Sequence, residues 1–143
     1  MLAIAIGCNN APETRANAPT PQPAAPAAPP APAPRDTRNV ILFVGTSLTA
    51  GYGIGADFAY PAVIQQKIDS AGLPYRVVNA GISGETSAGG LRRIDWALQQ
   101  RVSVLVLELG ANDALRGLSV DSMKSNLNEI VHRTRAKYPK AKI

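Results

Sequence analysis

Three places in the chain hold residues able to do acyl-transfer chemistry. Ser47 follows the apolar run Val40-Ile41-Leu42-Phe43-Val44 and the pair Gly45-Thr46. Gly81-Ile82-Ser83-Gly84 offers two glycines, and Asn112 stands in Gly110-Ala111-Asn112-Asp113. A serine hydroxyl is a nucleophile, the bare amide of a glycine can approach an oxyanion closely, and an asparagine side chain offers an NH2 donor. Together they are the parts of a nucleophile and an oxyanion hole. Taken alone, Gly45-Thr46-Ser47 reads equally well as a polar turn after a core strand, and context has to decide between the two.

The elements around these residues supply that context. Val40 to Val44 is short, β-branched and aromatic without alternation, as expected of a strand covered on both faces of a parallel sheet. In such sheets ligands bind beyond the carboxyl ends of the strands, where Ser47 falls. Gly45 is expected to let the backbone turn sharply, and Gly51 and Gly53 to leave room for a substrate. Tyr60 to Gly72 has helical apolar spacing, with Pro61 near its start and Gly72 as its stop. Tyr75 to Asn79 is a second strand, and Ala80 to Ser87 leads into a helix reaching about Gln100. Val102 to Leu109 is a third strand, apolar except for Ser103 and Glu108. Ser119 can cap a further helix with the stripe Val120, Met123, Leu127, Ile130 and Val131, closed by Pro139, and Lys140 to Ile143 approaches a fourth strand. Strands alternating with helices predict an α/β fold with a parallel sheet and helices on both faces. All three candidate loops would then meet at one sheet edge.

Composition sets the limits. At 143 residues with 45% apolar content the chain suits one domain, and its net charge of +5 is modest. The basic cluster Arg133 to Lys142 lacks a series of interleaved aromatics and reads as a solvated helix face, so no nucleic-acid partner is expected. One histidine and scattered carboxylates offer no metal-ligand spacing, and no cofactor is expected. Gly51-Tyr52-Gly53-Ile54-Gly55-Ala56 formally fits a dinucleotide fingerprint, but the strand has already ended at Val44 and the serine block intervenes.

The first 38 residues are of another kind. Met1 to Ile6 is apolar and runs through Gly7 into Cys8, the only cysteine. The segment 1–8 resembles a bacterial lipoprotein signal, which implies lipid attachment at Cys8. It departs from that pattern at Ala5, where leucine is usual, and in an apolar region shorter than the roughly 7–15 residues of a secretory signal. Residues 9–38 hold nine of the twelve prolines, without helical or strand periodicity. They cannot bury enough apolar surface to offset their ordering entropy, and a polyproline-like tether is expected. The folded part is then 39–143.

From Asn39 onward the sequence resembles the SGNH hydrolases, the GDSL esterase and lipase family, and within it the branch with the bacterial periplasmic acyl-thioesterase, lysophospholipase and arylesterase. Gly45-Thr46-Ser47-Leu48 takes the place of the first block, with Thr46 where the eponymous aspartate stands. Asn79 to Ser87 resembles the second block and Gly110-Ala111-Asn112-Asp113 the third. The resemblance implies a three-layer, flavodoxin-like α/β/α sandwich, Ser47 as nucleophile, and Gly84 and Asn112 in the oxyanion hole. It also implies a small-molecule acyl ester or thioester as substrate, of medium or long acyl chain, in the bacterial periplasm or cell envelope. Carbohydrate acetyl esters and a non-catalytic, lipid-anchored binding role stand as alternatives. The family's base lies in an Asp-x-x-His block that these 143 residues do not contain; His132, inside the last helix, reads as a solvated residue. The expectation is therefore of a truncated hydrolase domain, nearly inactive by itself because an unassisted serine is a poor nucleophile.

Overall fold

The structure is a computed structural model and describes residues 36–143. Cys8, the expected leader 1–8 and most of the expected tether 9–38 lie outside the described residues. Three parallel strands, β1 (Asn39–Gly45), β2 (Tyr75–Gly81) and β3 (Val102–Glu108), form a sheet in the order β2-β1-β3. The strand that carries the serine is therefore central. β1 pairs with β2 from Asn39↔Tyr75 to Gly45↔Gly81, and with β3 from Val40↔Val102 to Gly45↔Glu108, with one irregularity between Val40 and Ile41. All three strands end at the same edge.

The helices are α1 (Ser47–Ala50), α2 (Tyr60–Ser70), α3 (Ser87–Ala97), α4 (Ala111–Leu115) and α5 (Val120–Lys137), with a turn of 3-10 helix at Ala56–Phe58. Pro61 opens α2, where its missing N–H goes unneeded. Thr86 caps α3 by accepting from the Gly89 amide at 3.3 Å, and Ser119 caps α5 by accepting from Ser122 N at 3.3 Å. Alternation along β1 sends Val40, Leu42 and Val44 to one face, against Ile94, Ala97 and Leu98 of the α3 region and Ile130 of α5. Leu42, Ile94 and Ile130 are fully buried, and each contributes about 1.5–3 kcal/mol by leaving water. On the other face Phe43 meets Tyr60 of α2 edge-on, ring centroids 5.5 Å apart. The expected layers of helices on both faces of a parallel sheet are present.

Local details depart from expectation. β2 runs two residues past Asn79, since Ala80 and Gly81 continue the ladder to β1. α3 stops at Ala97 instead of near Gln100, with Leu98 N still bonded to Ile94 O at 2.8 Å. Val120 is 57% exposed and stands apart from the buried stripe, whereas Thr134, outside the expected stripe, is fully buried with its hydroxyl on Ile130 O. The approach to a fourth strand takes the form of a parallel bridge from Lys142 to Val104.

Candidate functional site

The nucleophile loop starts at Gly45, whose lack of a Cβ is what the fold uses. A Cβ there would lie 2.0 Å from Thr49 Oγ1 and 2.8 Å from a Glu108 oxygen. Gly45 belongs to β1 and has no positive φ, so close approach, and not a sharp turn, explains it. The chain then folds straight into α1: Ala50 N bonds Thr46 O at 2.9 Å and Tyr52 N bonds Ser47 O at 2.9 Å. Ser47 stands at the start of α1, half-buried.

Glu108, at the end of β3, holds this loop from beside it. Its carboxylate accepts from Thr46 N at 2.9 Å, from the Thr46 hydroxyl at 2.9 Å and from the Thr49 hydroxyl at 2.9 Å. The Thr49 hydroxyl also meets Tyr60 OH at 2.7 Å. Thr46 thus acts as a donor where the related motif has an acid. Gly51 has a left-handed φ of 78°, and a Cβ on it would meet Gly55 O at 2.6 Å. Its bareness serves its own loop and opens no room for a ligand, whereas Gly53 faces open space.

The second loop is tied to the first through Ile82 N, which donates to Gly45 O at 2.9 Å. Gly84 adopts φ 76°, which favours glycine. Beneath it Arg93 pairs with the Glu85 carboxylate, both largely buried, and reaches Ala80 O at 2.6 Å. The third loop turns at Gly110, φ 117°, where a Cβ would stand 2.9 Å from Met123 Sδ of α5. Asn112 Nδ2 donates to Glu85 O at 3.0 Å, and Arg116 donates to Gly84 O at 2.8 Å. Buried Asp113 accepts from Ser87 N at 2.8 Å and from the Ser87 hydroxyl at 2.6 Å, fastening α3 to the third loop.

The first loop is therefore bonded to the second through Gly45 O and to the end of β3 through Glu108, and the second loop is bonded to the third. The bond to Glu85 O uses one N–H of the Asn112 amide and leaves the second for a ligand. His132 is 77% exposed on α5, 3.7 Å from Glu129. It lies nine residues along from Met123, the residue beside Gly110, which is about 13 Å of helix away from the strand ends. Sequence reasoning placed Ser47, Gly84 and Asn112 on the three strand-end loops but assigned no role to Glu108, Asp113, Arg93 or Arg116. For Glu108 a signal existed, an acid inside an apolar strand.

Residues 43–143 match the GDSL-like Lipase/Acylhydrolase family. The chain belongs to that family. It is 40% identical over 97 residues to Esterase TesA of Pseudomonas aeruginosa, covering 67% of this chain and 48% of the relative. With the Thioesterase 1/protease 1/lysophospholipase L1 of Escherichia coli K12 it shares 40% over 99 residues, 68% of this chain and 46% of that protein. The chain spans about half the length of the curated relatives it matches. Among solved structures, AlinE4, described as an SGNH-hydrolase family esterase, superposes with TM-score 0.66 at 39% identity, over 71% of this chain and 55% of that one. The crystal structure of TesA gives 0.68 at 38%, over 72% and 57%. The α/β sandwich of the GDSL-like family is thus this chain's fold.

Beside the nucleophile loop lies a hollow of about 660 Å³, lined by Leu48, Ile54, Phe58, Tyr60, Val63 and Ile64, with Lys67 and Glu108 as its charged groups. Leu48 and Phe58 are each more than 70% exposed. Among the described residues no group of three or more His, Cys, Asp or Glu is gathered as a metal ion requires, and no helix is long and apolar enough to cross a membrane.

Proposed function

We propose that the chain carries the nucleophile and the oxyanion hole of a serine hydrolase acting on small-molecule acyl esters or thioesters. The observation that carries this reading is the bonding that holds the three strand ends together, Ile82 N on Gly45 O, Thr46 on Glu108 at the end of β3, and Asn112 on Glu85 O. The Ser47 oxygen attacks the acyl carbon and its proton passes to a base. The carbonyl oxygen becomes an oxyanion that receives the amides of Ser47 and Gly84 and the free N–H of Asn112. Collapse of the tetrahedral intermediate expels the alcohol or thiol, which takes up the proton, and water then releases the acid from the acyl-serine. One such donor is worth on the order of 10²–10³ in turnover. The apolar hollow next to Leu48 supports an acyl chain as the group recognised. His132 is not assigned as the base.

The test is ester hydrolysis, with a series of p-nitrophenyl acyl esters, by the 143-residue chain and by the longest natural product that contains it. Ser47→Ala is expected to abolish turnover and Asn112→Ala to lower kcat by about 10²-fold with KM little changed. Unchanged turnover in Ser47→Ala would overturn the reading. The leader and tether support a place in the bacterial cell envelope with lipid on Cys8, tested by incorporation of labelled palmitate that Cys8→Ser should abolish.

A further inference from the structure

The end of the sheet opposite Ser47 carries a concentration of positive charge that the proposed chemistry does not use. Arg101 immediately precedes β3, its carbonyl accepting Val40 N at 2.9 Å at the start of the central strand. Lys137 ends α5, and Lys140 and Lys142 follow within five residues. Lys142 is fixed against β3, its N–H on Ser103 O at 3.0 Å and its carbonyl on Leu105 N at 2.8 Å. All four cations are exposed, and among the described residues none is in an ion pair. The acids nearest this end are already engaged, Asp36 by Arg38 and Arg76 and Asp69 by Arg38. Farther along α3 and α5, Asp95 and Glu129 are engaged by Arg133.

Lys137 and Lys140 line a hollow of about 330 Å³ whose other walls are Val102, Ser103, Tyr138, Pro139 and Ala141. An apolar floor with a lysine rim suits a phosphate headgroup and its glycerol. Nucleic acid is a poorer fit, because the only aromatic residue here, Tyr138, is held inward by its hydroxyl on Leu98 O and Gln100 O and presents no stacking platform. Asp36, three residues before β1 begins, also lies at this end.

We propose that this edge is a docking surface for an anionic phospholipid bilayer. Each lysine or arginine near such a surface adds attraction that fades within a Debye length, about 8 Å at 0.15 M salt. Docked there, the chain holds the loop of Ser47 about 20 Å farther out, one strand length from the lipid. Substrate would then arrive from the aqueous side.

The experiment is vesicle co-sedimentation of the 143-residue chain, with Cys8→Ser throughout so that no acyl group contributes. Binding is expected to vesicles containing phosphatidylglycerol, not to phosphatidylcholine alone, and to weaken steeply with salt. Lys137→Gln/Lys140→Gln should reduce partitioning by about 30-fold at low salt, from roughly fivefold per removed cation. Arg92→Gln/Lys124→Gln carries the same net charge but alters exposed sites on α3 and the first half of α5, and should leave binding near wild type. Circular dichroism confirms that both variants fold. Equal loss in the two double variants, equal binding to neutral vesicles, no binding at low salt, or tighter binding to a short DNA duplex than to vesicles would each overturn the proposal.

Discussion

Glu108 accepts both the backbone N–H and the side-chain hydroxyl of Thr46, each at 2.9 Å, so one carboxylate fixes the residue that precedes the candidate nucleophile. A third bond, from the Thr49 hydroxyl at 2.9 Å, extends its hold across α1. Hydrogen bonds to a charged acceptor contribute about 1.5–3 kcal/mol each when the partner is left without a substitute. Glu108→Gln keeps the shape but sets an NH2 among donors. It is expected to lower the unfolding free energy in urea by about 1–3 kcal/mol. Hydrogen exchange at the Thr46 amide should accelerate while the amides of central β1 stay protected. An unchanged Thr46 exchange rate would show that the carboxylate does not position the loop.

Gly45 and Thr49 make a second, purely steric demand. A methyl on Gly45 would come within 2.0 Å of Thr49 Oγ1 and 2.8 Å of both Thr49 Cβ and a Glu108 oxygen. Overpacking of this kind costs about 1–3 kcal/mol, and occasionally more. Gly45→Ala should therefore destabilise by at least that range. Adding Thr49→Ala removes the nearest atom but not the other two, so the double variant should recover only part of the loss. Thermal or urea unfolding of the three variants checks this. Full recovery would mean that the oxygen alone sets the limit.

These relationships mark the boundary of what the sequence conveys. β1, α2 and the three strand-end loops were legible because apolar periodicity and Gly, Pro and Ser punctuation act over a few residues. Glu108 was visible as a charge in an apolar strand, but its partners Thr46 and Thr49 lie about sixty positions away and only the parallel pairing brings them together. Gly51 shows the converse error. A glycine beside a serine loop suggests room for a ligand, yet the missing Cβ makes way for Gly55 O of its own turn. Val120 fits the stripe by angle and is still exposed, because periodicity fixes position around a helix and not where along it the neighbouring layer ends.

Asp113 ties the third loop to the start of α3 through Ser87 N at 2.8 Å and the Ser87 hydroxyl at 2.6 Å, and Asn126 of α5 donates to the same hydroxyl at 3.0 Å. Removing the carboxylate leaves a buried N–H without its acceptor, which costs about 1–3 kcal/mol. Asp113→Ala is expected to lose that much in urea unfolding, while Asp113→Asn keeps one acceptor oxygen and loses less. Asn126→Ala leaves both bonds to Asp113 in place and should cost least. An Asn126→Ala variant as unstable as Asp113→Ala would shift the weight from the carboxylate to the α5 contact.

Asp36 provides a pH-dependent test at the opposite end of the sheet. The Arg38 side chain, bonded to both carboxylate oxygens at 2.8–3.1 Å, and the Arg38 backbone N–H hold its pKa down to about 2 from the usual 3.8. Because the carboxyl is more acidic in the folded chain, protonation favours the unfolded one. The contribution is fully present above about pH 4 and disappears as pH falls through about 2. Wild type and Asp36→Asn should therefore differ in thermal midpoint near neutral pH, by a small margin because the pair is solvent-exposed and screened. That difference should shrink steadily on acidification through this window. A gap that stayed constant to the acid limit would locate the effect of the substitution in the backbone turn at Asp36 and not in the charge, because the charge is the only part of the interaction that protons remove.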